Sequence, residues 1–358
     1  MSGWSRRPAL RWLVPGIVVA LVVGGGAAAN AIVASDEPDL PPRTAAELLA
    51  DLHTVQVGAL SGTVVQTADL GLPLPETGHP GDADLGGLWS GSNTLRVWYD
   101  GPDRARVALL GTLSQSDIIR NGRDLWIWNS SKQQASHRVL PEGFARDPGT
   151  PPVHPSMSPQ EAADAALAAV DQTTEVRADG AVRVAGRDAY QLVISPRDES
   201  SLVESVRLAI DAEHGLPLRV QVFGGGPDPA FEVRFTQIGF ERPDPEQFRF
   251  NPPPGTEVTE EDLWPSLPFE LKPGAGAERP TVVGEGWTSV LVAELPDGLA
   301  PDGDGELAGL LAALPRVSGD WGSGRVVSGS LFSVLLTDDG RVLLGAVTPE
   351  RLTEVAGE

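Results

Sequence analysis

Cysteine is absent from the sequence. Its absence removes disulfides, thiol nucleophiles and cysteine metal sites, and with them the lipidated cysteine that a bacterial lipoprotein carries at its mature N-terminus. Lysine is almost absent: only Lys132 and Lys272 stand beside abundant Ala, Gly, Pro and Arg, a bias that looks like a high-GC bacterial genome of actinobacterial type. Histidine is scarce, and His53, His79, His137, His154 and His214 keep no metal-ligand spacing. No G-x-S-x-G elbow is present. Gly322-Ser323-Gly324 lacks the preceding strand and following helix that make a phosphate cradle, and the acidic run at 302–306 departs from EF-hand spacing. Nor do 49 acidic residues spread over a surface single out a carboxylate pair for acid–base work. These absences point to a non-enzyme without metal or cofactor.

Acid is what the chain has in excess. The net charge is −22, and residues 1–34 hold three Arg and no acid, which leaves 24 basic against 49 acidic residues in the remainder, a balance of −25. Such a surface repels phosphate backbones, so no nucleic acid is expected as a partner. At the N-terminus, Arg6, Arg7 and Arg11 precede an apolar run at 13–23 that continues through Gly24, Gly25 and Gly26 into small residues such as Ala29-Asn30-Ala31. A basic n-region, an h-region of this length and small residues after it are the features of a signal peptide. The whole stretch 13–34 is also long enough to span a bilayer if retained, with the basic side in the cytoplasm. Both predict export; cleavage and retention as an anchor stay open. Arg6-Arg7 with Leu10 partly matches a twin-arginine signal, but Ala9 replaces the usual aromatic.

At 358 residues, the length suggests two folded domains of about 150 residues each. The boundaries predicted are 1–34 signal or anchor, 35–43 a Pro-rich tether, 44–259 a first domain, 260–280 a Pro/Gly-rich linker, and 281–358 a small α+β domain. Thr44-Ala45-Ala46-Glu47 reads as a capping box for a helix with Leu48, Leu49, Leu52 and Val55 on one stripe. A second box, Ser158-Pro159-Gln160-Glu161, starts an alanine-rich helix to about Val170 that carries Leu167; it can serve as a movable lid or pack statically. Strands are predicted at 94–99, 104–110, 115–119 and 124–129, the last two joined by Asn121-Gly122, a pair that tolerates positive φ. Alternation puts Ile118 and Leu125 on one face of that hairpin and Asp117, Ile119, Trp126 and Trp128 on the other. Trp98, Trp126, Trp128, Ile119, Tyr190 and Leu167 are the candidates for lining a hydrophobic cavity; for the aromatics, ordinary core or rim positions are the competing reading.

The run 204–258 organises the rest. Val206, Leu208 and Ile210, then Leu218, Val220 and Val222, then Phe231, Val233 and Phe235 alternate with polar residues, as strands of a half-buried antiparallel meander do. Within it, Asp211, Gly215, Leu216, Pro217 and Arg219 form D-x3-G-L-P-x-R, and 231–240 reads F-x-V-x-F-T-x-I-x-F. Then follow P-x-P-x2-F-x-F (Pro243, Pro245, Phe248, Phe250) and P-x-G-x2-V (Pro253, Gly255, Val258). The ordered string resembles the closing strands of the LolA-like lipoprotein-carrier fold, shared by lipoprotein carriers and the N-terminal domain of RseB/MucB sigma-factor regulators. The resemblance implies an α+β fold, a curved antiparallel half-barrel covered by helices, whose concave face binds acyl chains or a peptide. The final stretch, a strand entering a G-x-V-x-P turn and a terminal helix, is similar to the C-terminal domain of the RseB-like regulators. Two readings follow, with a hydrolase acting at the cell wall as a third from another class. The first is an extracytoplasmic protein that holds a lipid, an acylated protein or a hydrophobic peptide. The alternative is an RseB-like envelope-stress regulator that binds the extracytoplasmic part of an anti-sigma factor.

Overall fold

The computed structural model describes residues 38–54, 57–72, 83, 88, 90–140, 172–259, 280–294 and 314–358. Among them the chain is mostly β: eighteen strands and two α-helices, where an α+β balance is expected from the sequence. The helix predicted at 158–170, with Leu167, lies outside the described residues. The helix-like sequence at 306–314 also lies outside them, except that its last residue, Leu314, sits in a bend.

Helix α1 (Ala45–Thr54) begins at the predicted capping box. The Thr44 backbone N–H donates to Glu47 Oε2 at 2.7 Å, and the Glu47 N–H donates back to Thr44 Oγ1 at 3.3 Å. The Thr44 N–H, together with the Thr44 hydroxyl that donates to the same oxygen at 2.8 Å, holds the Glu47 carboxyl below its ordinary pKa. The large sheet is made of β1 (Leu60–Ala68), β2 (Gly91–Tyr99), β3 (Arg104–Leu110), β4 (Gln115–Asn121), β5 (Asp124–Asn129) and β6 (Gln134–Val139), then β7 (Thr174–Val184), β8 (Arg187–Pro196), β9 (Ser205–Asp211), β10 (Pro217–Phe223), β11 (Phe231–Gly239) and β12 (Glu257–Thr259). Two antiparallel meanders, β1–β6 and β7–β11, meet where β1 pairs with β11, and β12 adds to β6 in parallel, giving the order β12-β6-β5-β4-β3-β2-β1-β11-β10-β9-β8-β7. The edge strand β7 is rich in exposed charge and carries an irregularity between Ala178 and Ala181, with Gly180 at φ +72°; such features blunt edge-to-edge pairing.

The pairings divide the sheet into two faces. On one, Leu48 and Leu49 of α1 pack with Tyr190, Leu192, Ile194, Val206, Leu208, Ile210, Val220 and Val222 in one buried cluster. This α1 face continues across β2–β5, where Ala83 and Leu88 pack with Leu95, Leu109 and Ile127. There the buried Gln66 donates from Nε2 to the Leu88 carbonyl at 2.7 Å, so Leu88 is held by both apolar and polar contacts.

The second sheet contains β13 (Thr281–Val283), β14 (Val290–Glu294), β15 (Arg316–Gly319), β16 (Gly322–Ser328), β17 (Ser333–Thr337) and β18 (Arg341–Gly345), in the order β13-β14-β18-β17-β16-β15. The turn-forming run Asp338-Asp339-Gly340 joins β17 to β18, with Gly340 at φ +90°. Helix α2 (Pro349–Ala356) follows Thr348 and covers the sheet with Leu352 and Val355. Gly322-Ser323-Gly324 is part of β16, and a Cβ at Gly324 would lie 2.4 Å from the Leu336 carbonyl oxygen, so that glycine serves close strand packing.

The two sheets are joined tightly. Leu202 N–H donates to the Ala346 carbonyl at 2.8 Å, Ser330 N–H to the Leu70 carbonyl at 2.8 Å, and Trp287 Nε1 to Thr174 Oγ1 at 2.8 Å. A Cβ on Gly224 would fall 2.2 Å from the Ser330 carbonyl oxygen, so a backbone without a side chain is required there. Trp287, Leu331, Phe332 and Ala346 from the second sheet and its connections complete the core beneath α1.

Candidate functional site

Opposite the α1 face, the segment after β11 folds back over the sheet as a strap. Pro245–Phe248 form a single 3₁₀ turn, started by Asp244, whose side chain accepts the Glu246 N–H at 2.9 Å. The strap lies on β3 and β4: Arg106 Nη1 donates to the Gln247 carbonyl at 3.3 Å, and Phe248 is fully buried. Phe250 sits against both tryptophans of β5, with ring centroids 5.2 Å from Trp126 and 5.9 Å from Trp128. The Pro- and Phe-containing motif thus closes the strap face.

Four of the predicted cavity residues come together here. Pairing places Trp98 opposite Arg106, Arg106 opposite Ile119, and Ile119 opposite Trp126, with Trp128 two residues on. Trp98 lies between two guanidiniums, Arg96 at 5.3 Å and Arg106 at 5.2 Å from its ring centre. Arg106 Nε in turn donates to the buried Asp117 Oδ1 at 2.7 Å, and Gln115 Nε2 donates to Asp117 Oδ2 at 2.6 Å. Trp126 stacks on His137 at 4.2 Å, and His137 Nε2 is 2.8 Å from Asp124 Oδ1. The histidine is held by a ring and a carboxylate, as part of the aromatic surface. Trp128 Nε1 is buried and, among the described residues, has no acceptor; such an orphan donor costs on the order of 1–3 kcal/mol until an acceptor arrives.

Tyr190 does not join them. It lies on the α1 face, with the Arg43 guanidinium 5.6 Å above its ring. Leu167 falls outside the described residues. Alternation within one hairpin places residues relative to each other, but the face of a distant strand depends on pairings that a local pattern does not encode.

A second polar cluster explains the D-x3-G-L-P motif. Asp211, at the end of β9, accepts the backbone N–H groups of Glu213 (3.1 Å) and His214 (2.7 Å), and Gly215 at φ +69° closes the turn. Arg187 binds the same carboxylate through Nε and, at 3.1 Å, through Nη2; it also reaches Glu213 at 2.8 Å. Burial alone would raise the Asp211 pKa, but Arg187 and His214 bring it below the ordinary value, while the Asp211 bond raises that of Arg187. His214 stacks on Phe240 at 3.7 Å. Every charged group here is engaged, so the cluster fixes a turn. Among the described residues, no group of three or more His, Cys, Asp or Glu is placed to hold a metal.

Chemically, the strap face offers aromatic planes, guanidiniums and a free indole donor, which is equipment for recognition. Sequence reasoning missed Phe248 and Phe250 as parts of this surface, although both stand in the quoted motif. It also missed Trp287 and Ser330, which bind the sheets together; short Gly-rich connections gave no signal for them.

Among the described residues no helix is long and apolar enough to cross a membrane, and the apolar run 13–34 lies outside them. No curated protein matches the chain. Among solved structures, it is similar to one from the Pseudomonas aeruginosa MucA/MucB complex, at 20% identity and TM-score 0.44, over 87% of this chain and 96% of that chain. An uncharacterized conserved protein from Thermus thermophilus aligns at 13% identity and TM-score 0.35, over 60% and 96%. A LolA superfamily protein from Nitrosomonas europaea aligns at 12% identity and TM-score 0.22, over 58% and 99%. Residues 90–260, from the start of β2 to just beyond β12, match the family model of the MucB/RseB N-terminal domain.

Proposed function

We propose that this chain is an extracytoplasmic, non-enzymatic regulator of the RseB type, which binds the extracytoplasmic part of a membrane-spanning anti-sigma factor. One observation carries the reading: the match of residues 90–260 to the MucB/RseB N-terminal domain. That stretch contains the strap and the whole aromatic surface beneath it. The second sheet supports the reading further, because a bare carrier needs only one domain, and here a second is locked to the first by paired backbone bonds. Trp98, Trp126, Trp128 and Phe250 are the anchors expected to bear on a partner segment, since large aromatics with a polar handle dominate such contacts. The basic residues 6, 7 and 11 and the apolar run 13–34 place the folded part outside the cytoplasmic membrane in this reading.

A second reading, the holding of a lipid, acyl chain or hydrophobic peptide in a curved half-barrel, is favoured by the apolar continuity of the α1 face. There the guest would take the place of Leu48 and Leu49, and of the five predicted cavity residues that are described Tyr190 alone would line the site. One experiment separates the two. The full chain is purified from envelope fractions in a non-ionic detergent, and bound protein and lipid are both identified by mass spectrometry. A stoichiometric single-pass membrane protein without lipid is the expected result. Specific lipid without protein would establish the carrier reading in its place, and neither would sink both.

A further inference from the structure

The strap face carries a second surface, on β9, β10 and β11, away from the tryptophans. Arg219 stands directly opposite Arg234 across the β10–β11 pair, while Arg207 stands opposite Gln221, one side-chain step along β10 on the same face. Like charges directly opposite each other on a sheet destabilise it unless something compensates. Glu232 lies on that face of β11, with its Oε1 3.3 Å from Arg234 Nε. Gln191 Oε1 accepts from Arg219 Nη2 at 3.0 Å, and Arg207 lies over the Phe223 ring at 4.4 Å. The next carboxylate on this face, Asp179, is engaged at 2.8 Å by Arg177 and reached by Gln191 at 3.2 Å. Three guanidiniums therefore face one nearby carboxylate, in a chain of net charge −22. Two of them, Arg207 and Arg219, hold a buried Nε–H with no acceptor among the described residues.

We infer that Arg207, Arg219 and Arg234 form an oxyanion site that takes a phosphate group. Guanidiniums present rigid forks of N–H donors, and three of them from three strands suit a tetrahedral oxyanion better than the single fork that a carboxylate needs. Burial lowers the pKa of Arg219, Glu232 opposes this, and Arg234 and Arg207 add to it; a bound anion relieves that repulsion. The acidity of the whole protein selects the source. It opposes the approach of an extended polyanion or an anionic bilayer, so a discrete phosphate is the expected occupant. The inference stands apart from the regulator reading, because it uses none of the residues beneath the strap.

The test titrates the full chain, in a non-ionic detergent at constant ionic strength, with inorganic phosphate against a chloride control, read by calorimetry. Parallel arms use mixed micelles containing phosphatidylglycerol, and a polyglutamate peptide. Saturable binding of one phosphate per chain is expected. R219Q and R234Q should each weaken it about tenfold or more, as the loss of a charged hydrogen bond does. Melting temperatures in phosphate-free buffer report on folding, and R234Q, at a side chain that is 29% exposed, carries the test should R219Q fail to fold. Phosphatidylglycerol binding that is lost in both variants, without free phosphate binding, upholds the site and assigns it to a lipid headgroup. Phosphate binding no stronger than chloride with no headgroup binding, equal binding by both variants, or tighter binding of polyglutamate than of phosphate would each overturn the inference.

Discussion

The two faces of the large sheet are built from the same strands yet chemically opposed. On the α1 face, Tyr190, Leu192 and Ile194 of β8, Val206, Leu208 and Ile210 of β9, and Val220 and Val222 of β10 form one buried cluster, and Leu192 and Ile210 are fully buried. On the strap face, the intervening positions include Gln191, Arg207, Arg219, Gln221 and Arg234 between the small or aliphatic Ala189, Val193 and Ala209, joined further along the sheet by Trp98, Trp126 and Trp128. A sheet needs one buried apolar face to fold, so the other is free to carry groups that cost stability and serve recognition. The sharpest way to break this comparison is to remove an aliphatic side chain beneath α1. Leu192→Ala should destabilise the chain by about 2–5 kcal/mol, as large-to-small core changes do, and lower the denaturant midpoint accordingly. An effect below about 1 kcal/mol would mean that the α1 face is not the main core.

The Asp211 cluster lies at the margin between the faces and gives the next largest effect. Its depressed pKa stabilises the fold while the carboxylate is charged. That contribution is present above the unfolded value, near 3.9, and is lost as pH falls through the lower folded value. Asp211→Asn removes it, leaving Glu213 as the one carboxylate bound to Arg187 among the described residues, and should cost about 2–3 kcal/mol at neutral pH. Measured against pH, the gap between wild type and variant should close on acidification below pH 4. A gap that instead widens there would show that the carboxyl is protonated in the fold.

The alternating strands of the central meander, the Thr44–Glu47 box and the Asp338-Asp339-Gly340 turn were legible, because each depends on residues a few positions apart; the β4–β5 hairpin was legible one residue out of place, since Asn121 pairs with Asp124 and Gly122 (φ +63°) and Arg123 make the turn. What stayed hidden depends on partners far along the chain. Strand β6, Gln-Ala-Ser-His-Arg-Val, has little apolar pattern of its own and is held by β5, with His137 opposite and stacked on Trp126. Likewise β1 pairs with β11, some 170 residues on, and that pairing carries the second meander into one sheet with the first. Phe248 and Phe250 were visible as a motif, but nothing local says that the strap turns back over Arg106 and Trp126. The face assigned to Tyr190 failed for the same reason. Its register is set by β9, through Ile210, and not by the hairpin that contains the tryptophans.

The smallest predicted effect is the one that most sharpens the contrast. Arg219→Met keeps the length of the side chain and its packing stem while removing a guanidinium that faces Arg234 and whose Nε–H finds no acceptor among the described residues. It forfeits the Gln191 bond at 3.0 Å, and it relieves both the like-charge pair and the burial of charge. These terms are of similar size, roughly 1 kcal/mol each. The unfolding free energy should therefore change by less than about 1 kcal/mol, towards greater stability, when measured without phosphate. Adding phosphate should reverse the order, stabilising the wild type and leaving the variant where it was. Were Arg219→Met to destabilise as strongly as Leu192→Ala, the strap face would count as a second structural core, and the division of labour between the faces would fail.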